Sequence, residues 1–129
     1  MSDRGKIRHR EYSTQVNDFS GLLFGKITPT DIDLFVEFGD KLYIFGEVKY
    51  QGADMPQGQA LALARLCDIC HNSGRTSALL IISHNSGGDV DVSSAIVTKY
   101  RFQKEWHIPA RETTVRQAIE ILRREAGLE

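Results

Sequence analysis

The sequence holds little that could staple or anchor it: two cysteines, three prolines and no long apolar run in 129 residues. Cys67 and Cys70 lie too close together to close a useful loop, and reduced thiols suit a cytosolic protein. The longest strongly apolar stretch runs only from about Ala78 to Ile82, so no bilayer span is expected. The start Met1-Ser2-Asp3-Arg4 lacks the apolar segment of a secretory signal, which again predicts a cytoplasmic protein without a membrane partner. An excess of one charge sign is also missing. Sixteen Lys and Arg against seventeen Asp and Glu leave a formal charge of -1, which neither advertises a polyanionic partner nor forbids one.

What remains is ordinary globular material, 41% hydrophobic and 26% charged, which argues against disorder, a collagen-like repeat or a coiled coil. The length suits one compact domain over residues 1–129. Residues 1–15 read as a mobile basic arm carrying Arg4, Lys6, Arg8, His9 and Arg10. Phe19 to Gly25 reads as a short strand, or else Asn17-Asp18 caps a helical turn there. Asp31 to Phe38 alternates, with Ile32, Leu34, Val36 and Phe38 opposite Asp33, Phe35 and Glu37. After the turn residues Gly39-Asp40, Lys41 to Tyr50 alternates again, which predicts an antiparallel hairpin. Gln59 to Asn72 has apolar residues at helical spacing and a stop at Gly74, and Thr76 to Ser83 reads as a central strand. Ala95 to Ile108 predicts one long strand or two broken ones, placing Tyr100, Phe102, Trp106 and Ile108 opposite Lys99, Arg101, Gln103 and His107. A capping box at Thr114 and Gln117 opens a last helix that ends near Gly127. The order predicts an α/β (α+β) fold with a mixed sheet of about four to five strands flanked by helices.

The chemistry concentrates in the hairpin. Matching its apolar faces places Phe38 opposite Leu42, because a one-residue slip would turn every side chain to the wrong side. In that register Asp33 faces Glu47 and Asp31 faces Lys49 on one face. Directly opposed residues have Cβ atoms roughly 5 Å apart, so two carboxylates meet there beside an ammonium. Such a pair suits a hard divalent cation, with Mg²⁺ the natural candidate and Mn²⁺ a substitute. The chemistry predicted is metal-assisted hydrolysis of a phosphodiester. The competing reading is a solvated hairpin face.

Asp31-Ile32-Asp33 after Pro29, then Glu47-Val48-Lys49, then a helix bearing Gln59, resemble the PD-(D/E)XK nuclease superfamily. The likeness covers roughly residues 19–83. It implies a restriction-endonuclease-like core in the order helix, three-strand meander, helix, strand. It implies metal ligation by Asp33, Glu47 and the Val48 backbone carbonyl, with Lys49 as catalytic lysine and Asp31 as the weaker ligand candidate. Gln59 resembles the supporting glutamine of the virus-type replication-repair nuclease branch. Compact members include Holliday junction resolvases that act as dimers, so a homodimer acting on DNA is implied, and a phage or mobile-element origin would suit one. The family's acidic first helix is short here, which leaves Glu11 without a clear role. The implied activity is that of a Mg²⁺-dependent DNA endonuclease; the alternative is an inactive accessory protein that keeps the fold and binds nucleic acid. Hydrolysis of some other phosphodiester is a third, weaker reading.

Other features weigh less. Cys67-Asp68-Ile69-Cys70-His71 matches a haem-attachment pattern, but both cysteines lie on the apolar stripe of a helix, so packing thiols and no haem are expected. A zinc site lacks a second Cys-x-x-Cys. Lys99, Arg101 and Lys104 among aromatics, with Arg8 and Arg10, are the candidate DNA contacts; an ordinary exposed strand face is the competing reading. A dimer interface is sought on the aromatic side of Tyr100, Phe102 and Trp106 or on the last helix. The loop Ser83 to Asp89 reads as a hairpin tip. The near-zero charge conceals a division: residues 27–54 hold six acids and two lysines, a balance of -4, and the rest of the chain is +3.

Overall fold

The computed structural model describes Gln15, residues 18–51, Ala53 and residues 57–128. It divides into two compact units, Met1–Thr30 and Asp31–Glu129. Within the first, Phe19 to Gly25 is not a strand: Ser20–Leu22 forms a single 3-10 turn, and Phe24 bridges Ile27 around Gly25. The Asp18 carboxylate accepts from the backbone N–H and hydroxyl of Ser20. The helical turn is therefore present, but its N-cap is Phe19, which makes no side-chain cap, so Asp18 does not cap it, and Asn17 lies outside the described residues.

The second unit is α+β. Strands β1 (Leu34–Phe38), β2 (Leu42–Tyr50), β3 (Thr76–His84), β4 (Ile96–Phe102) and β5 (Glu105–His107) form one mixed sheet in sequence order. Helix α1 (Gln57–Asn72) joins β2 to β3, and α2 (Val115–Glu125) closes the chain. β2 and β3 are parallel, an arrangement that needs a long crossover, and α1 supplies it. All other neighbouring strands are antiparallel. In place of the three-strand meander implied by the resemblance, the described residues carry a two-strand hairpin before α1.

Each helix covers one face of the sheet. Leu63 and Cys67 of α1 pack on Phe45, Leu79 and Ile81. Val115 and Leu122 of α2 pack with Leu42, Ile44, Leu80, Ile82 and Val97 on the opposite face. Residues two apart along a strand share a face, so Glu47 and Lys49 lie with Phe45 on the α1 side. The hairpin register is the predicted one, with Phe38 opposite Leu42 and Leu34 opposite Gly46. Gly46 is required by space: a Cβ there would lie 3.0 Å from Leu34 Cβ and 3.1 Å from Ile82 Cδ1. The α2 capping box is complete, Thr114 and Gln117 each accepting the other's backbone N–H.

Two strand expectations change. β1 starts at Leu34, so Asp31 and Asp33 precede the ladder instead of belonging to it. Residues 95–108 break at Gln103 and Lys104, which take left-handed φ values of 52° and 69°, as a two-residue hairpin turn needs. The turn pairs Arg101 with Trp106 and Tyr100 with His107, which inverts the alternation beyond it. Trp106 therefore joins Lys99 and Arg101, while His107 stacks on Tyr100 at 5.1 Å. No single aromatic side containing Tyr100, Phe102 and Trp106 exists.

Candidate active site

Glu47 stands where β2 passes beneath the first turn of α1. It is only 3% exposed, one of two buried polar or charged side chains among the described residues. Its Oε1 accepts from Gln59 Nε2 at 2.7 Å and lies 3.2 Å from Lys49 Nζ. Gln59 also points its amide nitrogen at the Asp31 carbonyl, 3.4 Å away. Both partners are acceptors, which fixes the orientation of the amide. Glu47 Oε2 is buried and has no hydrogen-bond partner among the described residues. A buried polar atom left without a partner costs about 1–3 kcal/mol, so this oxygen calls for an explanation.

Asp33 closes the other side of the site. The ladder has ended at Leu34, and the Asp33 carboxylate takes over by accepting the Val48 backbone N–H at Oδ2, 2.8 Å away. That contact pins Asp33 to the strand that carries Glu47. The electrostatic result is legible in Glu47, whose carboxyl is raised above its ordinary pKa by burial first and then by the Asp33 charge. Lys49 and Gln59 pull in the opposite direction without prevailing. The site thus holds more negative charge than its own side chains offset. Asp31 contributes its carbonyl to the Gln59 contact, and the strand pairing does not extend to set it opposite Lys49.

The chemistry of this donor set fits a hard cation. Two carboxylates converge, one with a free buried oxygen, and the Val48 carbonyl follows Glu47 directly in the chain. Among the described residues no group of three or more His, Cys, Asp or Glu side chains comes together, so a cation here would rest on these two carboxylates, backbone and water.

The candidate DNA contacts separate. Lys99 pairs with Ile81, which pairs with Glu47, so Lys99 lies on the α1 face in the same row as the carboxylate. Its Nζ lies 4.7 Å from the Trp106 ring centroid. Arg101 is committed elsewhere: it makes a two-pronged ion pair with Asp68 of α1, at 2.8 and 2.7 Å, and its side chain is 17% exposed. Lys104 is exposed in the β4–β5 turn, and Arg8, Arg10 and Glu11 lie outside the described residues. Cys67 is buried with its thiol pushed up to about 11 by desolvation, the behaviour of a packing residue.

One feature is absent from the sequence reading. A cleft of about 420 Å³ opens at the carboxyl ends of β2 and β3, with Gln51, Ser83, His84, Asn85, Asp91 and Glu112 among its walls. The loop after Ser83 joins the antiparallel strands β3 and β4, as a hairpin tip does, and also forms one side of this cleft. The signal available was its place: a polar loop leaving a parallel strand pair at the carboxyl end. No described helix is long and apolar enough to cross a membrane. Comparison with known protein families, curated proteins and solved structures finds no match to this chain.

Proposed function

We propose that the protein is a divalent-metal-dependent deoxyribonuclease whose site is built from Asp33, Glu47, Lys49 and Gln59. The observation that carries this reading is the buried Glu47 carboxylate, one oxygen held by Gln59 and Lys49 and the other without a partner among the described residues, with Asp33 adding charge from across the hairpin. A solvated hairpin face would not bury its central acid. Asp33, Glu47 and the Val48 carbonyl would hold Mg²⁺ or Mn²⁺. When bound, the cation supplies Lewis acidity toward a phosphoryl oxygen and makes a coordinated water more acidic.

The chain's own groups have distinct tasks. Gln59 fixes the Glu47 rotamer from α1, so the carboxylate cannot swing toward solvent. The Val48 N–H orients Asp33 in the same way. Lys49, one-quarter exposed and tied to Glu47 on one side, can direct an attacking water or offset charge on the phosphate. Lys99, in the same row, suits a neighbouring backbone phosphate. One small domain offers limited surface to a duplex, so a homodimer is part of the proposal.

The test is a cleavage panel of linear, flapped and four-way-junction DNA with Mg²⁺ or Mn²⁺, using wild type, Asp33→Asn and Lys49→Ala. Cleavage by wild type and its loss by at least a hundredfold in both variants, at unchanged thermal stability, is expected. Undiminished cleavage in Asp33→Asn refutes the assignment. DNA binding without cleavage in either metal leaves the accessory-protein alternative.

A further inference from the structure

Trp106 is the only tryptophan of the chain, and it is 39% exposed. Strand pairing fixes its side of the sheet: it lies opposite Arg101, Arg101 lies opposite Leu79, and Leu79 packs against α1. Directly opposed residues share a face, so Trp106 stands on the side that carries Glu47 and Lys49. Among the described residues β5 is the outer strand, and no further strand screens the ring.

The cations around this ring differ in what they are free to do. Arg101, 5.6 Å from the ring centroid, gives its charge to Asp68. Lys99 reaches over the ring at 4.7 Å, is exposed and makes no ion pair among the described residues. Roofing the Arg101–Asp68 pair therefore accounts for one contact of the ring and leaves the ammonium beside it unused. An open π-face next to an uncommitted ammonium suits a ligand that joins a flat ring to a negative charge, as a nucleotide does. A bare polyanion or an acidic peptide would satisfy the ammonium alone. In a continuous duplex the bases already stack on one another and offer no free face.

The platform is within reach of the carboxylates. Lys99 lies two strands from Glu47, about 10 Å at the usual strand spacing. Ile81, between them, is buried against α1, so the direct way is closed. The next row, Lys49, Ser83 and Ile96, runs past the start of α1 instead. Ser83, Ile96 and the exposed Thr98 line the cleft there, and Lys99 follows Thr98 in the chain.

We infer that Trp106 stacks an unpaired base of a DNA strand whose adjoining phosphate is held by Lys99, so that the substrate carries a single-stranded stretch beside the cut. The inference rests on the nuclease reading for DNA as the ligand, yet its test needs no cleavage. As the only tryptophan, Trp106 reports on itself: its fluorescence is followed in EDTA as a short oligothymidylate is added, with binding measured in parallel by anisotropy of the labelled strand. The comparison ligand is an abasic deoxyribose-phosphate oligomer of the same length and charge. Oligothymidylate should quench the fluorescence saturably and bind wild type about tenfold more tightly than the abasic oligomer, which should not quench. Trp106→Leu, which keeps an apolar cover over Arg101, should bind the two oligomers alike, whereas Lys99→Ala should weaken both by a similar factor. The wild-type quench requires no variant, so the test survives if Trp106→Leu fails to fold. No binding, binding without quenching, equal quenching by the abasic oligomer, or an undiminished preference for bases in Trp106→Leu overturns the inference. Each of these failures leaves the metal site untouched, whereas cleavage surviving Asp33→Asn would refute the nuclease reading and leave the stacking result standing.

Discussion

Replacing Glu47 by Gln should stabilise the metal-free protein at neutral pH. The wild-type carboxylate is buried, has one oxygen without a partner among the described residues and faces added negative charge from Asp33. Leaving a buried acceptor unpaired costs about 1–3 kcal/mol. Against this stands the Lys49 contact at 3.2 Å, which Gln would weaken; with Lys49 one-quarter exposed, it is worth about 0.5–1 kcal/mol. The amide keeps an oxygen for Gln59 and turns a donor toward the acidic side. The net expectation is a gain of about 1 kcal/mol, or roughly 4 °C in melting temperature for a chain of this size. The pH dependence has a definite sign. Because the folded-state pKa of Glu47 is raised above 4.5, its contribution is fully present below that value and is lost as pH rises through the folded pKa. The advantage of Glu47→Gln should therefore vanish at pH 4 and reach a plateau at neutral pH. Mg²⁺ should then favour wild type, by about 1.4 kcal/mol at ten times its dissociation constant, and leave the variant unmoved. Calorimetry in EDTA and in Mg²⁺ across that pH range is the assay. A variant less stable than wild type at pH 7 in EDTA would refute the reasoning, because Glu47 would then be a satisfied structural ion pair.

Gly46→Ala should lower stability by about 1–3 kcal/mol in urea denaturation and reduce any cleavage, since its Cβ would meet Leu34 and displace the start of β1 beside Asp33; an unchanged midpoint would refute the packing argument. Arg101→Ala and Asp68→Ala should each destabilise by about 1–3 kcal/mol, with the double variant costing less than their sum. If Arg101 serves the fold and Lys99 the phosphate, only Lys99→Ala should reduce the salt dependence of DNA binding, by about one unit of slope; a comparable change with Arg101→Ala would reverse those roles.

Local alternation in the sequence was enough to determine the hairpin. Leu42, Ile44 and Val48 can share the face of Leu34, Val36 and Phe38 only when the paired numbers keep the same parity, and the observed register does so. The same reasoning misplaced Trp106. A two-residue turn at Gln103-Lys104 changes the parity, and neither residue carries the Asn-Gly chemistry that usually announces such a turn. The start of β1 was misjudged for a related reason. Asp31-Ile32-Asp33 continues the alternation, yet the ladder stops at Leu34 and a side chain, Asp33, takes the Val48 N–H instead.

The candidate site was legible because its parts are bound to one another by short-range rules. Glu47 and Lys49 share a face by strand period, and Gln59 reaches Glu47 because the crossover helix must begin where β2 ends. The burial of Glu47 was not legible, because it depends on α1 closing over the sheet, and burial is what separates a poised carboxylate from a solvated one. The cleft was hidden for the same reason at a larger scale. Gln51, Ser83 and Glu112 are far apart in the chain and converge only once β2, β3 and the segment before α2 are in place. Sequence periodicity assigns a residue to a face; whether that face is open, covered or hollow is decided by tertiary packing.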